Sequence, residues 1–315
     1  MKSPERCLLA SRILVLAAFL PTFSLCSRAQ SAMVALTFDD LPAVGTLDPA
    51  EAQSYNRAIL ASLAKHHAPA TGFVVEDRVV KLRGREILDQ WVRQGLDLGN
   101  HTFSHADLDT LTPEQFEQEV IKGESSFSAA LATAGKAPKY LRFPFNHAGD
   151  TAAKHDAVAE FLSRRGYKVA ACTIDNEDYL FNEAYLKMRV RNDPESAAKL
   201  RAEYLAYTAT EIDYYSHLQE QVFGRAVAHV MLVHLNRLNA ELIEQLLEIF
   251  ENKRYTFVTL DAAQSDSAYS TPDTFVSSYG PMWGYRWAKE RKVAVNGNLE
   301  SEPPAWISQY PSDEK

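Results

Sequence analysis

Short apolar runs alternate with helix-like segments along most of this chain. The run "MVALTF" (33–38) precedes a segment at 49–66 in which apolar residues recur at helical spacing, and the run "ATGFVV" follows it. Alternation of this kind favours right-handed βαβ units, and therefore parallel strands with helices packed outside them. On the same grounds we predict further strands over 96–100, 139–143, 167–174, 228–235 and 255–260, and helices over 84–94, 151–165 and 237–252. The sequence therefore predicts an α/β fold whose parallel strands close into a barrel.

One helix start carries a complete capping signature. In "LTPEQ", Thr112 is suited to be the N-cap residue, Pro113 occupies the first helical position, and Gln115 occupies the third. Such a combination satisfies two backbone N–H groups that the helix itself leaves unpaired. We therefore predict a helix that begins at Pro113.

The N-terminus has the pattern of a secretory signal peptide. Basic residues precede an unbroken apolar stretch at 13–20, and small residues follow it. The stretch is far shorter than the roughly 20 residues that span a membrane, so no stable membrane span is expected. We predict a signal peptide over 1–29 with cleavage after Ala29, and an exported protein, periplasmic or secreted. A lipid anchor at Cys26 is an alternative that the bulky Leu25 disfavours, and an uncleaved anchor is another.

The rest of the chain is long enough for one large domain. We predict a catalytic barrel over 30–265 that carries a polar helical insertion at about 182–226, near the active face. The tail, 266–315, is rich in serine, proline and aromatic residues, and we expect it to pack on the barrel rather than form part of a substrate groove. A net charge of −8 and a pI near 5.6 argue against a nucleic-acid partner. The oligomeric state is left open.

Polar residues gather where the predicted strands end. In an α/β barrel the carboxyl ends of the strands form the catalytic face, so side chains that are distant in sequence meet there. The residues in these positions are Asp39, Asp40, His101, His105, Arg142, Asp175, Asp178 and His234. We therefore expect one site built from several βα units.

The types of these residues point to metal-assisted hydrolysis. Two imidazoles four residues apart, in "HTFSH", can converge on one ion, and an aspartate with two histidines suits Zn²⁺ or a similar divalent cation. A second carboxylate in "TFDD" is then available as a general base, and the histidine in "VMLVHL" as a general acid. Each of these motifs taken alone is common in sites with no catalytic role.

Taken in order, the motifs resemble those of the polysaccharide deacetylases, the NodB-like class of carbohydrate esterase family 4. The five motifs are "TFDD", "HTFSH", "RFPF", "DNEDY" and "MLVHL", and they fall within residues 33–262. The resemblance implies a distorted (β/α) barrel of about seven units and one divalent metal ion, with Zn²⁺ as the expected ion.

The resemblance also implies a role for each motif residue. Asp40, His101 and His105 would bind the metal, and Asp39 would be the base that activates water. Arg142 would ion-pair with Asp39. Asp178, rather than Asp175, would orient His234, and His234 would protonate the leaving group.

This sequence departs from the family pattern at several places. His147 stands where a glycine-containing turn is usual, Tyr179 replaces the usual aromatic residue, and Leu235 stands where an aspartate is frequent. We predict that Phe145, His147 and Tyr179 line the substrate groove. The other five histidines (His66, His67, His155, His217 and His229) are predicted to be structural, and Cys172, in an apolar strand pattern, to be a buried inert thiol.

The resulting prediction is a metal-dependent deacetylase that removes N-acetyl or O-acetyl groups from an extracytoplasmic glycan such as peptidoglycan or chitin-like oligomers. One alternative is a hydrolase of small linear or cyclic amides on the same barrel, favoured if the 182–226 insertion closes a narrow pocket. Another is a carbohydrate-binding protein with no catalytic activity.

Overall fold

The computed structural model describes residues 32–310, and the fold is given for these residues. The predicted signal peptide, its cleavage after Ala29 and the alternative anchor at Cys26 lie outside the described residues. No helix in 32–310 has both the length and the hydropathy that crossing a membrane requires.

Seven parallel strands form the centre of the fold. They are β1 (Met33–Leu41), β2 (Ala70–Val74), β3 (Asp97–Asn100), β4 (Tyr140–Leu141), β5 (Lys168–Val169), β6 (His229–His234) and β7 (Thr256–Phe257). The order across the sheet is β5-β4-β3-β2-β1-β6, and β7 pairs with the start of β1. β1 is therefore central, which agrees with its almost complete burial.

The sheet curls until its two sides meet. After β5 the chain stays extended, and Ile174 forms an isolated parallel bridge with Met231 of β6. The amide of Leu232 donates to the carbonyl of Ile174 at 3.0 Å. The predicted distorted barrel of about seven parallel units is confirmed.

Twelve α-helices surround the strands within the described residues. They are α1 (Pro49–Lys65), α2 (Glu76–Leu82), α3 (Arg85–Arg93), α4 (Pro113–Gly123), α5 (Ser125–Ala132), α6 (Ala152–Arg164), α7 (Asp178–Val190), α8 (Pro194–Phe223), α9 (Arg237–Asn252), α10 (Leu260–Ala263), α11 (Trp283–Glu290) and α12 (Ala305–Ser308). The capping box at the start of α4 is present with both of its hydrogen bonds, as predicted.

Three predicted strands are longer in the sequence pattern than in the structure. The segments 139–143, 167–174 and 255–260 each pair regularly over two residues, as β4, β5 and β7. Helix α2 was not predicted, because it follows β2 after a single residue and is short. The helical pair of the insertion comprises α7 and α8, so it begins at Asp178 rather than at about residue 182.

The tail packs on the barrel through large apolar side chains. Trp283, Trp287 and Ile307 are buried in the main core. The amide of Trp283 donates to the carbonyl of Cys172 at 2.8 Å, which fixes α11 beside the segment after β5. Burying a large apolar side chain contributes about 1.5–3 kcal/mol, so the tail is part of the folded unit.

Candidate active site

Strand β1 places two carboxylates at its end. Its apolar side chains are buried, and Asp39, which pairs in register with His234 of β6, is 2% exposed. Asp40 follows with a positive φ of 66°, a backbone conformation that aspartate tolerates better than most residues. The change of direction at Asp40 presents adjacent carboxylates to one cavity.

A loop fixed at several points carries the two histidines of "HTFSH". Asn100, the last residue of β3, accepts a hydrogen bond from the amide of Thr102 and donates one to the carbonyl of Val120 in α4. Glu119 of α4 accepts from both the amide and the hydroxyl of Ser104. The loop is therefore attached to the barrel and to α4 on either side of His101.

Asp40, His101 and His105 fit a divalent metal ion. Their candidate ligand atoms all lie within 4.8 Å of one another. Nε2 of His105 is 3.6 Å, and Nε2 of His101 is 4.0 Å, from Oδ1 of Asp40. Two ligand atoms on one Zn²⁺ stand about 3–4 Å apart, given bonds of about 2.0–2.2 Å. Within residues 32–310, Oδ1 of Asp40 is buried without a hydrogen-bond partner, which leaves it available to bind a cation.

The protonation states favour the same conclusion. Burial lowers the pKa of His101 to about 4, and burial together with the neighbouring His101 lowers the pKa of His105 to about 4. Both rings are therefore neutral at pH 7. Nδ1 of His101 lies 2.8 Å from the carbonyl oxygen of Arg142, which assigns the ring proton to Nδ1 and leaves Nε2 with a lone pair.

Arg142 contacts the other carboxylate. Its guanidinium is fully buried and donates to both oxygens of Asp39, at 3.2 and 3.3 Å, and to the hydroxyl of Thr37 at 3.0 Å. Burial raises the pKa of Asp39, and Arg142 opposes that rise. The net direction is upward, because desolvation outweighs the ion pair. A raised pKa makes Asp39 a stronger base than an exposed aspartate.

Asp178 holds His234 with its whole carboxylate. One oxygen lies 2.6 Å from Nδ1 of His234, and the other accepts from the backbone amide of His234 at 2.8 Å and from the side chains of Asn236 and Asn239. Burial disfavours the charged ring, but the charge and hydrogen bond of Asp178 dominate and raise the pKa of His234 to about 10. The imidazole is therefore protonated at neutral pH.

Asp39, Asp40, His101, His105 and His234 line one cavity of about 960 Å³, whereas their buried partners Arg142 and Asp178 do not. Phe145 and Tyr179, both about half exposed, line it as aromatic surfaces, and the ring of Phe145 contacts that of His105 at 4.7 Å between centroids. His147 does not line this cavity. Its ring faces Asp107 and Asp109 instead, because the chain turns sharply at Phe145 and Asn146.

Backbone strain concentrates around the cavity. Eleven described non-glycine residues have positive φ, and five of them line it: Asp40, His105, Phe145, Asn146 and Glu177. Such conformations cost about 1–3 kcal/mol each and persist where surrounding structure enforces them, often at functional sites. The strain is consistent with a site whose side chains are held in place before a ligand arrives.

Several residues of the cavity were not identified from sequence. Arg78 of α2 lies 3.3 Å from Asp40. Although burial alone would raise the pKa of Asp40, Arg78 and the nearby histidines lower it to about 2. Burial, with the charges of Glu177 and Asp178, raises the pKa of Asp175 to about 7. No motif marked Arg78 or assigned a role to Glu177, whereas Asp175 was among the residues expected at the ends of the strands.

The tail also contributes to the cavity. Its lining residues from this segment are Phe275, Tyr279, Gly280, Pro281, Met282, Tyr285, Val295, Gly297 and Glu300. By contrast, a single residue of the 182–226 segment, Tyr215, lines the cavity. The density of aromatic residues in "SSYGPMWGYRW" was the one signal in the sequence for this role.

Cys172, His66 and His229 were predicted to be structural, and each lies outside the cavity. Cys172 is buried, and burial raises the pKa of its thiol. His66 caps α1 and lies 2.8 Å from Glu251. His229 is buried between Thr173 and Ser216. None of these residues lines the cavity.

Curated proteins similar to this chain are glycan deacetylases. A peptidoglycan-N-acetylglucosamine deacetylase of Bacillus cereus is 26% identical over 148 residues, which are 47% of this chain and 46% of that protein. A chitin deacetylase of Arthroderma benhamiae is 28% identical over 147 residues, 46% of this chain and 35% of that protein. The chain thus spans less than half the length of these two relatives.

Solved structures share the fold at low sequence identity. A polysaccharide deacetylase from Bacillus cereus matches with a TM-score of 0.52 at 21% identity, over 72% of this chain and 91% of that one. A family 4 pseudoenzyme from Bacillus anthracis matches with a TM-score of 0.51 at 16% identity, over 75% of this chain and 66% of that one. The likeness therefore concerns architecture and not activity.

The family model for polysaccharide deacetylases matches residues 27–185, half of the sequence. The chain belongs to the polysaccharide deacetylase family.

Proposed function

We propose that this protein is a metal-dependent hydrolase that removes N-acetyl, or O-acetyl, groups from a glycan such as peptidoglycan or chitin-like oligomers. The observation that carries the proposal is the meeting, in one cavity, of three kinds of group. These are the metal-ligand set Asp40, His101 and His105, a buried carboxylate paired with Arg142, and an imidazole paired with Asp178.

The chain's own residues account for the proton transfers. A divalent cation, with Zn²⁺ as the expected ion, would polarise the acyl carbonyl and lower the pKa of water. Asp39 takes the proton from the attacking water, and Arg142 keeps its carboxylate oriented. His234, on the neighbouring strand and protonated at neutral pH, donates a proton to the leaving nitrogen or oxygen.

Two features of the cavity support a glycan substrate. Phe145, Tyr179 and Tyr279 offer partly exposed aromatic faces, and aromatic rings with an apolar body and a polar rim suit the faces of sugar rings. Asp175, Glu177 and Glu300 add carboxylates that can accept hydrogen bonds from hydroxyl groups. Similarity to proteins named as peptidoglycan and chitin deacetylases agrees with this substrate class.

A small-amide hydrolase is less well supported. A narrow pocket closed by the 182–226 insertion would favour that alternative, but Tyr215 is the single residue of this segment that lines the cavity. We also propose that residues 1–29 direct export, that 30–265 form the catalytic barrel, and that 266–315 complete its substrate cavity.

Acetate release from chitin oligomers, peptidoglycan and acetylated xylan, with and without EDTA, tests the proposal. We expect chelator-sensitive release from at least one of these glycans. Asp39→Asn should retain the metal and lose about 10²–10⁴-fold in kcat, the usual contribution of a general base. His101→Ala should lose both the metal and the activity.

Other outcomes would exclude parts of the assignment. A full equivalent of metal in the His101→Ala protein would contradict the ligand set. Binding of glycans without acetate release would favour the carbohydrate-binding alternative, and release from small amides alone would favour the small-amide hydrolase.

A further inference from the structure

A second group of metal-ligating side chains lies outside the catalytic cavity. Asp107 and Asp109 flank Leu108 in a 3-10 turn just after His105, and His147 follows the turn at Pro144–Asn146. Nδ1 of His147 is 2.9 Å from Oδ1 of Asp107 and 3.4 Å from Oδ2 of Asp109. One ligand atom from each residue lies within 4.8 Å of the other two.

The carboxylate of Asp109 receives no hydrogen bond from the part of the chain that the structure describes. Its side chain is 11% exposed, and both oxygens are buried without a hydrogen-bond partner among the described residues. Lys154, the nearby ammonium group, donates to the backbone carbonyls of Leu108 and Asp109 and pairs with Asp150 at 3.0 Å. An anionic carboxylate shielded from water in this way is costly unless a cation compensates it.

Protonation of His147 would not give the carboxylate of Asp109 a hydrogen-bond donor. Its Nδ1–H can be directed at one oxygen, and the shorter distance is to Asp107. Oδ1 of Asp107 also accepts from the backbone amide of Asp109 at 2.9 Å. A histidine–aspartate ion pair would therefore satisfy Asp107 and leave both oxygens of Asp109 unbonded.

We propose that Asp107, Asp109 and His147 bind a second divalent transition-metal ion. One imidazole nitrogen and two carboxylate oxygens form a ligand set suited to Zn²⁺, Mn²⁺ or Ni²⁺, with remaining positions filled by water. The ligand distances of 2.9 and 3.4 Å are those expected for atoms that share one ion at about 2.1 Å.

The position of this ion suggests what it does. It joins the loop that carries His105 to the turn that carries Phe145, and the rings of those two residues are in contact at the mouth of the cavity. The second ion is therefore a structural clamp on two loops of the active site, and its binding does not depend on the proposed deacetylase activity.

Metal stoichiometry tests the proposal directly. The tag-free full chain, stripped with chelator, is titrated with Zn²⁺ by calorimetry, and bound zinc is counted by elemental analysis after dialysis. We expect two equivalents in the wild type and one in Asp109→Asn/His147→Gln. We also expect one in Asp40→Asn/His101→Gln, and none when the four changes are combined.

Asp150→Asn is the matched control, because Asp150 is a neighbouring acid that pairs with Lys154 and lies outside the ligand set. It should retain two equivalents. The proposal is overturned if folded Asp109→Asn/His147→Gln binds as many equivalents as the wild type, whether the wild type binds one or two. Circular dichroism checks folding, and His147→Gln alone serves if the double variant does not fold.

Discussion

Asp39 and His234 stand side by side on neighbouring strands, yet their surroundings prepare them for opposite tasks. Arg142, a fixed cation, contacts Asp39, whereas Asp178, a fixed anion, contacts His234. Burial prevails at Asp39, whose pKa rises despite Arg142, whereas Asp178 outweighs burial at His234. The carboxylate gains basicity and the imidazole keeps its proton at neutral pH. Pairs of titratable groups in contrasting environments are how one site supplies both acid and base.

The role of Asp178 can be tested by the pH dependence of the reaction. In the wild type, His234, the proposed general acid, has a pKa of about 10 and is protonated up to that pH. In Asp178→Asn, burial remains but the compensating charge is gone, so the pKa of His234 should fall below its ordinary value. We expect the alkaline limb of kcat to move to lower pH by more than about 3 units, with metal content unchanged.

Asp175→Asn is the matched control, because Asp175 lines the same cavity but accepts from the amide of Glu177. It should leave the alkaline limb in place. If both variants keep the wild-type limb, His234 is not the general acid.

The residues of the five motifs were predictable from sequence because each type has a specific chemical use. Arg78 was not predictable, because an arginine in a short helix is usually a solvated surface residue. The residues next to it in sequence give no indication that it contacts Asp40. His147 is the opposite case. Its motif predicted that it lines the substrate groove, but the left-handed turn at Phe145 and Asn146 directs its ring towards Asp107.

At the scale of elements, the apolar pattern predicted where the strands lie better than it predicted how long they are. The apolar run at 167–174 has the composition of one long strand. In the structure its first part pairs with β4, while Ile174 bridges to β6 on the other side of the barrel. An apolar pattern indicates that a segment is buried but not which strand it pairs with. The change of partner from β4 to β6, which closes the barrel, could therefore not be predicted from it.

The contact between the tail and the turn after β4 gives a second prediction. A Cβ atom on Gly280 would lie 2.0 Å from the carbonyl oxygen of Phe145 and 2.7 Å from the carbonyl carbon of Asn146. Gly280→Ala should therefore displace the tail from Phe145, with a loss of about 1–3 kcal/mol in stability. We expect KM for glycan to rise, since Phe145 and Tyr279 line the cavity, while the metal content is retained.

Gly297→Ala is the matched control within the same tail. A methyl group there would meet the ring of Tyr285 at 3.5 Å, an ordinary van der Waals contact. Thermal unfolding and steady-state kinetics should distinguish the two variants. Equal behaviour would mean that the tail does not shape the substrate cavity.

At the scale of the whole molecule, the barrel and the tail share one hydrophobic core. Trp287 is buried and its ring contacts Phe223 of α8, while Trp283 bonds to Cys172 after β5, so the tail packs on both the insertion and the barrel. The sequence predicted that the tail would pack but not where, because packing partners distant in the chain leave no local pattern. Stability, like the cavity, therefore depends on elements beyond the family-matched residues.

The acid stability of the molecule is expected to depend on one buried histidine outside the active site. His229 is 3% exposed, and burial lowers its pKa from 6.5 to about 3, with Asp266 opposing weakly. Below about pH 6.5 the unfolded chain takes up a proton that the folded protein does not bind until about pH 3. The stabilising contribution is thus complete above pH 6.5 and is lost as pH falls, by about 3 kcal/mol at pH 4.

His229→Gln removes this titration, so its free energy of unfolding should decline less steeply than that of the wild type between pH 7 and pH 4, whatever its stability at pH 7. His217→Gln is the control, because His217 is exposed on α8 and should keep the wild-type slope. Denaturant unfolding of the three proteins at several pH values measures the slopes. A slope in His229→Gln as steep as in the wild type would mean that other groups, and not this neutral imidazole held between Thr173 and Ser216, limit the stability of the barrel in acid.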